Sequence, residues 1–319
     1  MQVQGPHAAR LNRVLSYIDA HLARPLDLTT LAGVANFLPW HFHRVFLART
    51  GETVADYTRR RRLETAALRL MLTTDSALAA ALDVGFGSAE VFTRAFSAHF
   101  GVTPSAWRLG AYRMWAARQR TRLRKIHQAQ RKHHQDFAAA LSDLAAVWPS
   151  RAITVTGVKS MSSLEVKIFP DVRVAYMRHV GPYGHPSIAQ MWPRFAAWCA
   201  AHGLMNPRRK MYGISQDSPD VTPPEKCRYD ACIEVDHKFL PTTEIGVQTI
   251  AGGRYACAPF TGPASAIHAA WMAAIDKVMN TPGLALTNRP PFELYPDDYV
   301  VDEASGVFHC LLCVAVNQA

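Results

Sequence analysis

With 319 residues, the chain is too long for one hydrophobic core and predicts two or more domains. Six cysteines without dense spacing argue against a disulfide scaffold and for a reducing compartment, and the longest strongly apolar run, VFHCLLCVAV, is too short to span a bilayer. The formal charge of +10 is uneven: residues 1–160 hold 22 Lys and Arg against 10 Asp and Glu, whereas residues 161–319 hold 13 against 15. One half suits a polyanion and the other does not.

The opening MQVQGPHAAR lacks the apolar core of a signal peptide, so a cytoplasmic, nucleoid-associated protein is expected. Beyond it the basic half repeats itself at an offset of 50. FHRVFLARTGETVADY (42–57) aligns with FTRAFSAHFGVTPSAW (92–107), placing Phe42, Arg44, Phe46 and Gly51 on Phe92, Arg94, Phe96 and Gly101, and Tyr57 on Trp107. Aromatics at i and i+4 form a buried helical stripe, the arginine between them points elsewhere, and each glycine sits where a helix ends. Each copy follows a short helix and a tight connection: DLTTLAGVANFLP, with Asp27 or Thr29 as N-cap, and DSALAAALDVGFGS, turning at Gly85–Gly87. Helix, turn and helix with an outward arginine is the helix-turn-helix pattern. Leu63, Ala66, Ala67, Leu70 and Met71 fall at helical spacing and predict one long helix joining the two units. Two such units in one chain can read two turns of DNA without a palindrome.

The motifs HFHRVFLARTG, RRLETAA and VGFGSAEVFTRAFSAHFGVTPSAWR resemble the DNA-binding domain of AraC/XylS-type transcription regulators, over residues 9–110. The resemblance implies that helices at 39–48 and 88–99 enter successive major grooves of double-stranded promoter DNA. By position, Trp40, His43 and Arg44 contact DNA from the first, and Ala89, Glu90 and Arg94 occupy the same face of the second. Ala80 stands where the family has a larger aliphatic residue. Ala89 and Glu90 are poor donors, so the second unit is expected to lean on phosphates and on Arg94.

Residues 111–160 read as a basic, helical linker, with eight Lys and Arg between 111 and the first acid, Asp136. Its His127, His133 and His134 have no carboxylate or cysteine at ligand spacing. No metal and no cofactor is expected. Cys310 and Cys313 form a C-x-x-C inside a strand-like run, where their side chains point to opposite faces and read as buried structural cysteines.

The neutral half, 161–319, repeats at an offset of 81: Val166, Arg173, Ala175, Gly181 and Pro182 fall on Val247, Arg254, Ala256, Gly262 and Pro263. Each copy reads strand, Gly-Pro turn, alanine-rich helix and two further strands. The fold class expected is therefore multidomain: an all-α tandem helix-turn-helix domain, then an α+β domain of duplicated strand-helix-strand-strand units sharing a curved antiparallel sheet. Glu293, in RPPFELYPDD, aligns with Tyr212, and the pair should face one another across the pseudo-dyad. Tyr295 shares Glu293's strand face, and Trp192, Trp198 and Trp271 are candidate walls of a cleft. Aromatic faces around a desolvated acid suit an organic cation. A solvated Glu293, or one paired with Arg254 or Arg289, is the alternative.

RVAYMRHVGPY, YGISQDSPDVTPPEKCRYDACIEVD, GGRYACAPFTGP and PPFELY resemble the gyrase-inhibitor-like small-molecule-binding domain of Rob-type regulators. In that family the acid matching Glu293 lies in the central cleft and meets hydrophobic, often cationic, ligands. The implied protein is a one-component transcription regulator without catalytic residues. A hydrolase of reactive toxins, with Glu293 as base and Tyr212 as its partner, is the rival, and a drug-sequestering module acting through RNA polymerase is a third reading.

Overall fold

A computed structural model of the chain describes residues 7–130, 164–206, 209–242, 244–296 and 306–318. They form two compact units, 1–121 with 218–223 and 241–246, and 122–217 with 224–240 and 247–319.

The first unit is helical: α1 (Ala8–Ala20), α2 (Leu28–Ala35), α3 (Pro39–Thr50), α4 (Val54–Leu72), α5 (Ala77–Asp83) and α6 (Ala89–Phe100). The two helix-turn-helix units are α2–α3 and α5–α6, joined by α4. Asp27, not Thr29, caps α2 by accepting from Thr30 N–H. Helices α3 and α6 both stop at a glycine with positive φ, Gly51 at 70° and Gly101 at 77°. A Cβ is disfavoured there, and the free N–H closes the last turn. Thr53 and Thr103 then cap the next helical turns. Phe42, Phe46, Phe92 and Phe96 are fully buried, with Tyr57 and Trp107 edge-on to Phe46 and Phe96. Removing four aromatics from water stabilises the unit by several kcal/mol, at ~2 kcal/mol each.

Much of the basic run at 59–62 is structural. Arg60 bonds Glu52 and Glu64, Arg61 bonds Asp19 and Glu64, and Arg62 donates to the carbonyls of Leu22 and Arg24. Helix α7 (Tyr112–Gln130) covers the described part of the basic linker; the rest of it, with His133 and His134, lies outside the described residues.

The second unit holds the expected antiparallel sheet. Its strands are β1 (Glu165–Phe169), β2 (Val172–Val180), β3 (Met211–Ser215), β4 (Arg228–Glu234), β5 (Gly246–Ile250), β6 (Gly253–Pro263), β7 (Leu284–Leu286), β8 (Phe292–Tyr295) and β9 (Val307–Gln318). The main order is β1-β6-β9-β8-β3-β4-β2-β5. It is a palindrome under the offset of 81, with β3 against β8 at the pseudo-dyad. Each copy also contains a strand that sequence reading missed: β1 and β5 are equivalent, and each pairs with the strand of the other copy, β1 on β6 and β5 on β2. Helices α8 (Pro186–Ala201) and α9 (Ile267–Met279) pack on the sheet. An apolar cluster with Tyr176, Tyr212, Tyr255 and Phe292 fills the sheet face opposite to Glu293.

Candidate functional site

Two places among the described residues gather most of the site residues expected from the sequence. The first is the outer face of α3 and α6. Pro39 starts α3 and the buried stripe of Phe42 and Phe46 fixes its rotation, leaving Trp40 70% exposed. A tryptophan left in water is unusual for a side chain with that much apolar surface. The Arg44 guanidinium, one turn on, lies 4.8 Å from the centre of the Trp40 ring. His43 is half-buried beside them.

On α6 the same rotation leaves Glu90 and Arg94 exposed and Ala89 half-buried. Ser88 caps the helix by accepting from Val91 N–H. The Glu90 carboxyl, bonded to Ser88 and one turn from Arg94, is held below its ordinary value and stays an anion. Beneath, Ala80 is fully buried in a cluster that holds Phe92, Phe96, Phe100 and Trp107, with Phe86 packed against it.

The second place is Glu293. Strand β8 turns it to the helix-covered face, and it is only 4% exposed. Its Oε2 accepts from Tyr229 OH at 2.6 Å and Tyr295 OH at 2.8 Å, and its Oε1 accepts from Trp271 Nε1 at 3.1 Å. Burial pushes the carboxyl up from its ordinary value, and the three hydrogen bonds only partly oppose this. Trp192 stands over the two phenols, its ring 5.1 Å from Tyr295 and 6.5 Å from Tyr229. The Tyr229 hydroxyl, raised well above its usual range by burial and by Glu293, remains a donor.

Gly213 makes this contact possible. It is Glu293's register partner on β3, and a Cβ there would lie 2.0 Å from Tyr229 OH and 2.3 Å from Glu293 Oε2. The hydrogen bond passes over a residue with no side chain.

Of the six cleft residues expected, the fold brings four together: Glu293, Tyr295, Trp192 and Trp271. Tyr212 is not among them. The pseudo-dyad runs between Tyr212 and Gly213, so Tyr212 pairs with Leu294, points to the opposite face and donates to Glu234 at 2.6 Å. Trp198 lies against His202 and Phe239 instead. Tyr229 was missed, since only the assembled sheet brings β4 next to β3, β8's neighbour. The salt-bridge alternative is not realised either. Arg289 lies over Tyr255 and donates to the carbonyls of Gly252, Arg254 and Val316, and Arg254 Nε has no partner.

Comparison with known proteins covers both places. The chain matches a helix-turn-helix domain family over residues 31–110 and a GyrI-like small molecule binding domain over 163–316. It is 38% identical over 101 residues to the right origin-binding protein of Escherichia coli K12, a match covering 32% of this chain and 35% of that one. It is 41% identical over 102 residues to the transposon Tn10 TetD protein of E. coli (32% and 74%) and 33% identical over 102 residues to regulatory protein SoxS of E. coli K12 (32% and 95%). The matched part is thus about a third of the length of the right origin-binding protein. No helix among the described residues is long and apolar enough to cross a membrane.

Proposed function

Since the chain belongs to the AraC/XylS-type family of transcription regulators, with a GyrI-like domain behind its helix-turn-helix domain, we propose that it is a one-component regulator that binds promoter DNA and senses an organic cation. In this reading Trp40, His43 and Arg44 meet DNA from α3, and Ala89, Glu90 and Arg94 meet it from α6. An arginine reads guanine with two hydrogen bonds, and stacking on Trp40 reduces the side-chain freedom that Arg44 loses on binding. Glu90 repels phosphate and accepts only from a base amino group such as that of cytosine, so the affinity of the second unit rests on Arg94.

The observation that carries the sensing half is a buried acid whose three partners are all neutral donors. A quaternary or aromatic cation supplies the missing charge, while Trp192 and Trp271 offer apolar aromatic surface beside it. Glu293 acts here as a binding charge: three of its roughly four acceptor positions serve protein donors, and the remaining one on Oε1 is left to an incoming ligand. Output through RNA polymerase completes the reading.

The test uses the full chain on a selected double-stranded site, followed by fluorescence anisotropy. Arg44→Ala and Arg94→Ala should each weaken the specific complex by ~1–3 kcal/mol and relax the preference at separate half-sites. A naphthylmethyl-trimethylammonium cation should shift operator affinity in the wild type and leave Glu293→Gln unmoved. Unchanged DNA affinity in both arginine variants sinks the two-unit reader, and an equal response in Glu293→Gln sinks the sensor. Hydrolysis of a reactive ligand that stops in Glu293→Gln would favour the enzyme reading.

A further inference from the structure

The C-x-x-C of the sequence is not a dithiol, because Cys310 pairs with Phe260 on one sheet face and Cys313 faces the other. A dithiol forms across strands instead. Strands β6 and β9 run antiparallel in a register that sets Cys257 directly opposite Cys313, and their sulfurs are 3.6 Å apart although 56 positions separate them in the chain. Directly opposed residues in such a pair have Cα separations within the span that a disulfide bridges. Closing the bond needs side-chain rotation, and the backbone is already in place.

We propose that Cys257 and Cys313 are a redox pair that a small hydroperoxide closes to a reversible disulfide. The Cys257 thiolate attacks the terminal peroxide oxygen, the O–O bond breaks, and water or an alcohol leaves with the proton. Cys257 is then a sulfenic acid. The Cys313 sulfur attacks it, the S–S bond forms, the S–O bond breaks, and the hydroxyl leaves as water with the Cys313 proton. Two thiols are oxidised by two electrons and one peroxide is reduced.

The surroundings assign Cys257 as the attacking sulfur. Strand β6 lies one position in from the edge strand β1, whose Glu165 stands opposite Cys257. Glu165 and Lys167 share that face and form an ion pair open to water, with side chains 70% and 37% exposed. Cys257 is buried, yet it sits one short strand from solvent, and edge strands open at lower cost than central ones. The hydrogen bond between the two sulfurs, together with the Lys167 charge, holds the Cys257 thiol below its ordinary value, whereas burial pushes Cys313 well up. A lowered thiol beside a second sulfur is the arrangement that reacts first and is then resolved.

The pair lies on the sheet face opposite to Glu293, so this inference stands independently of the ligand reading. Full-length protein is treated with graded hydrogen peroxide, alkylated and digested for mass spectrometry. The expected result is the loss of two of the six free thiols, a peptide linked through Cys257 and Cys313, recovery with dithiothreitol, and a raised melting temperature. Cys313→Ser should stop at a Cys257 sulfenic acid that dimedone traps. The linkage map of the wild type needs no variant. Six intact thiols at peroxide levels that oxidise free cysteine, or a bond between any other pair, would overturn the proposal.

Discussion

The sheet of the second unit buries two carboxylates, Asp230 on β4 and Glu293 on β8, and surrounds them differently. Asp230 is fully buried and meets the Arg178 guanidinium side-on, accepting from Nε and Nη2 at 2.7 Å each. Gln216 and Gln248 add hydrogen bonds at 2.8 and 2.9 Å to its Oδ2. Burial works against the Arg178 charge, and Asp230 outweighs it. Glu293 receives three hydrogen bonds of similar quality, and none comes from a cation. A buried acid that serves the fold is neutralised by the fold; one left with neutral donors alone is available to an incoming charge. The duplication sharpens the contrast. At the positions equivalent to Arg178 and Asp230 the second copy places Pro259 opposite Leu311, and at the position equivalent to Glu293 the first copy has Tyr212. Each acid is thus a departure from the repeat, with a separate reason.

The largest test of this difference is Asp230→Asn. It leaves Arg178 charged in a dry interior, and breaking such a pair costs ~3–5 kcal/mol. Thermal and urea unfolding should show that loss. Glu293→Gln should cost less, about 1–2 kcal/mol, because the amide fits the same volume and keeps an oxygen for the phenols, while its NH2 group faces the Trp271 N–H. Similar losses in the two variants would erase the distinction between a structural and a ligand-facing acid.

Next in size is ligand discrimination. A naphthylmethyl-trimethylammonium cation and its carbon isostere, neopentylnaphthalene, differ in charge and hardly in shape. Glu293→Gln should weaken the cation by ~2 kcal/mol, roughly thirtyfold, and the neutral compound by little. Calorimetric titration of both ligands into both proteins measures this, and equal losses would end the cation reading.

Gly213→Ala probes the same site from behind. The added methyl cannot coexist with the Tyr229–Glu293 contact, and neither partner is the loose end of an exposed chain. A loss of ~1–3 kcal/mol follows from displaced packing and a buried phenol without its acceptor. Tyr229→Phe removes the hydroxyl and should recover part of that loss in the double variant. Additivity of the two changes would place their effects elsewhere.

What could be read in the sequence was whatever is local. The offset of 50 exposed both helix-turn-helix units because the phenylalanine stripe, the glycine stop and the threonine cap all lie within one helix and its end. The offset of 81 exposed the duplication, yet not the exchange of β1 and β5, since sheet pairing leaves no local mark. The cleft failed by one residue at Tyr212: the pseudo-dyad falls between residues, and a shift of one on a pleated strand reverses the face. Trp198 failed for a helical reason. Six positions after Trp192 is ~240° around an α-helix, so the two cannot share a wall. The charge total misled in part as well, for Arg60 and Arg61 carry charge that Glu52, Glu64 and Asp19 already answer.

The smallest predicted effect is the most direct measure of Glu293's isolation. Its carboxyl is raised above the ordinary 4.5 by burial. Below that value folded and unfolded chains both hold the proton, so burying the neutral acid costs little. As pH climbs past 4.5 the unfolded chain ionises first, and the folded chain loses relative stability until pH passes its own higher value. Wild type should therefore lose stability relative to Glu293→Gln over that window and stay parallel above it, by ~1.4 kcal/mol for each unit of separation. Taking the difference between two proteins cancels groups that titrate alike in both. The cation should follow the opposite course, binding more tightly as pH rises through the window because it requires the ionised acid, while neopentylnaphthalene gains nothing. A stability difference that is flat from pH 4 to 8, with a cation affinity equally flat, would show Glu293 to be as well compensated as Asp230.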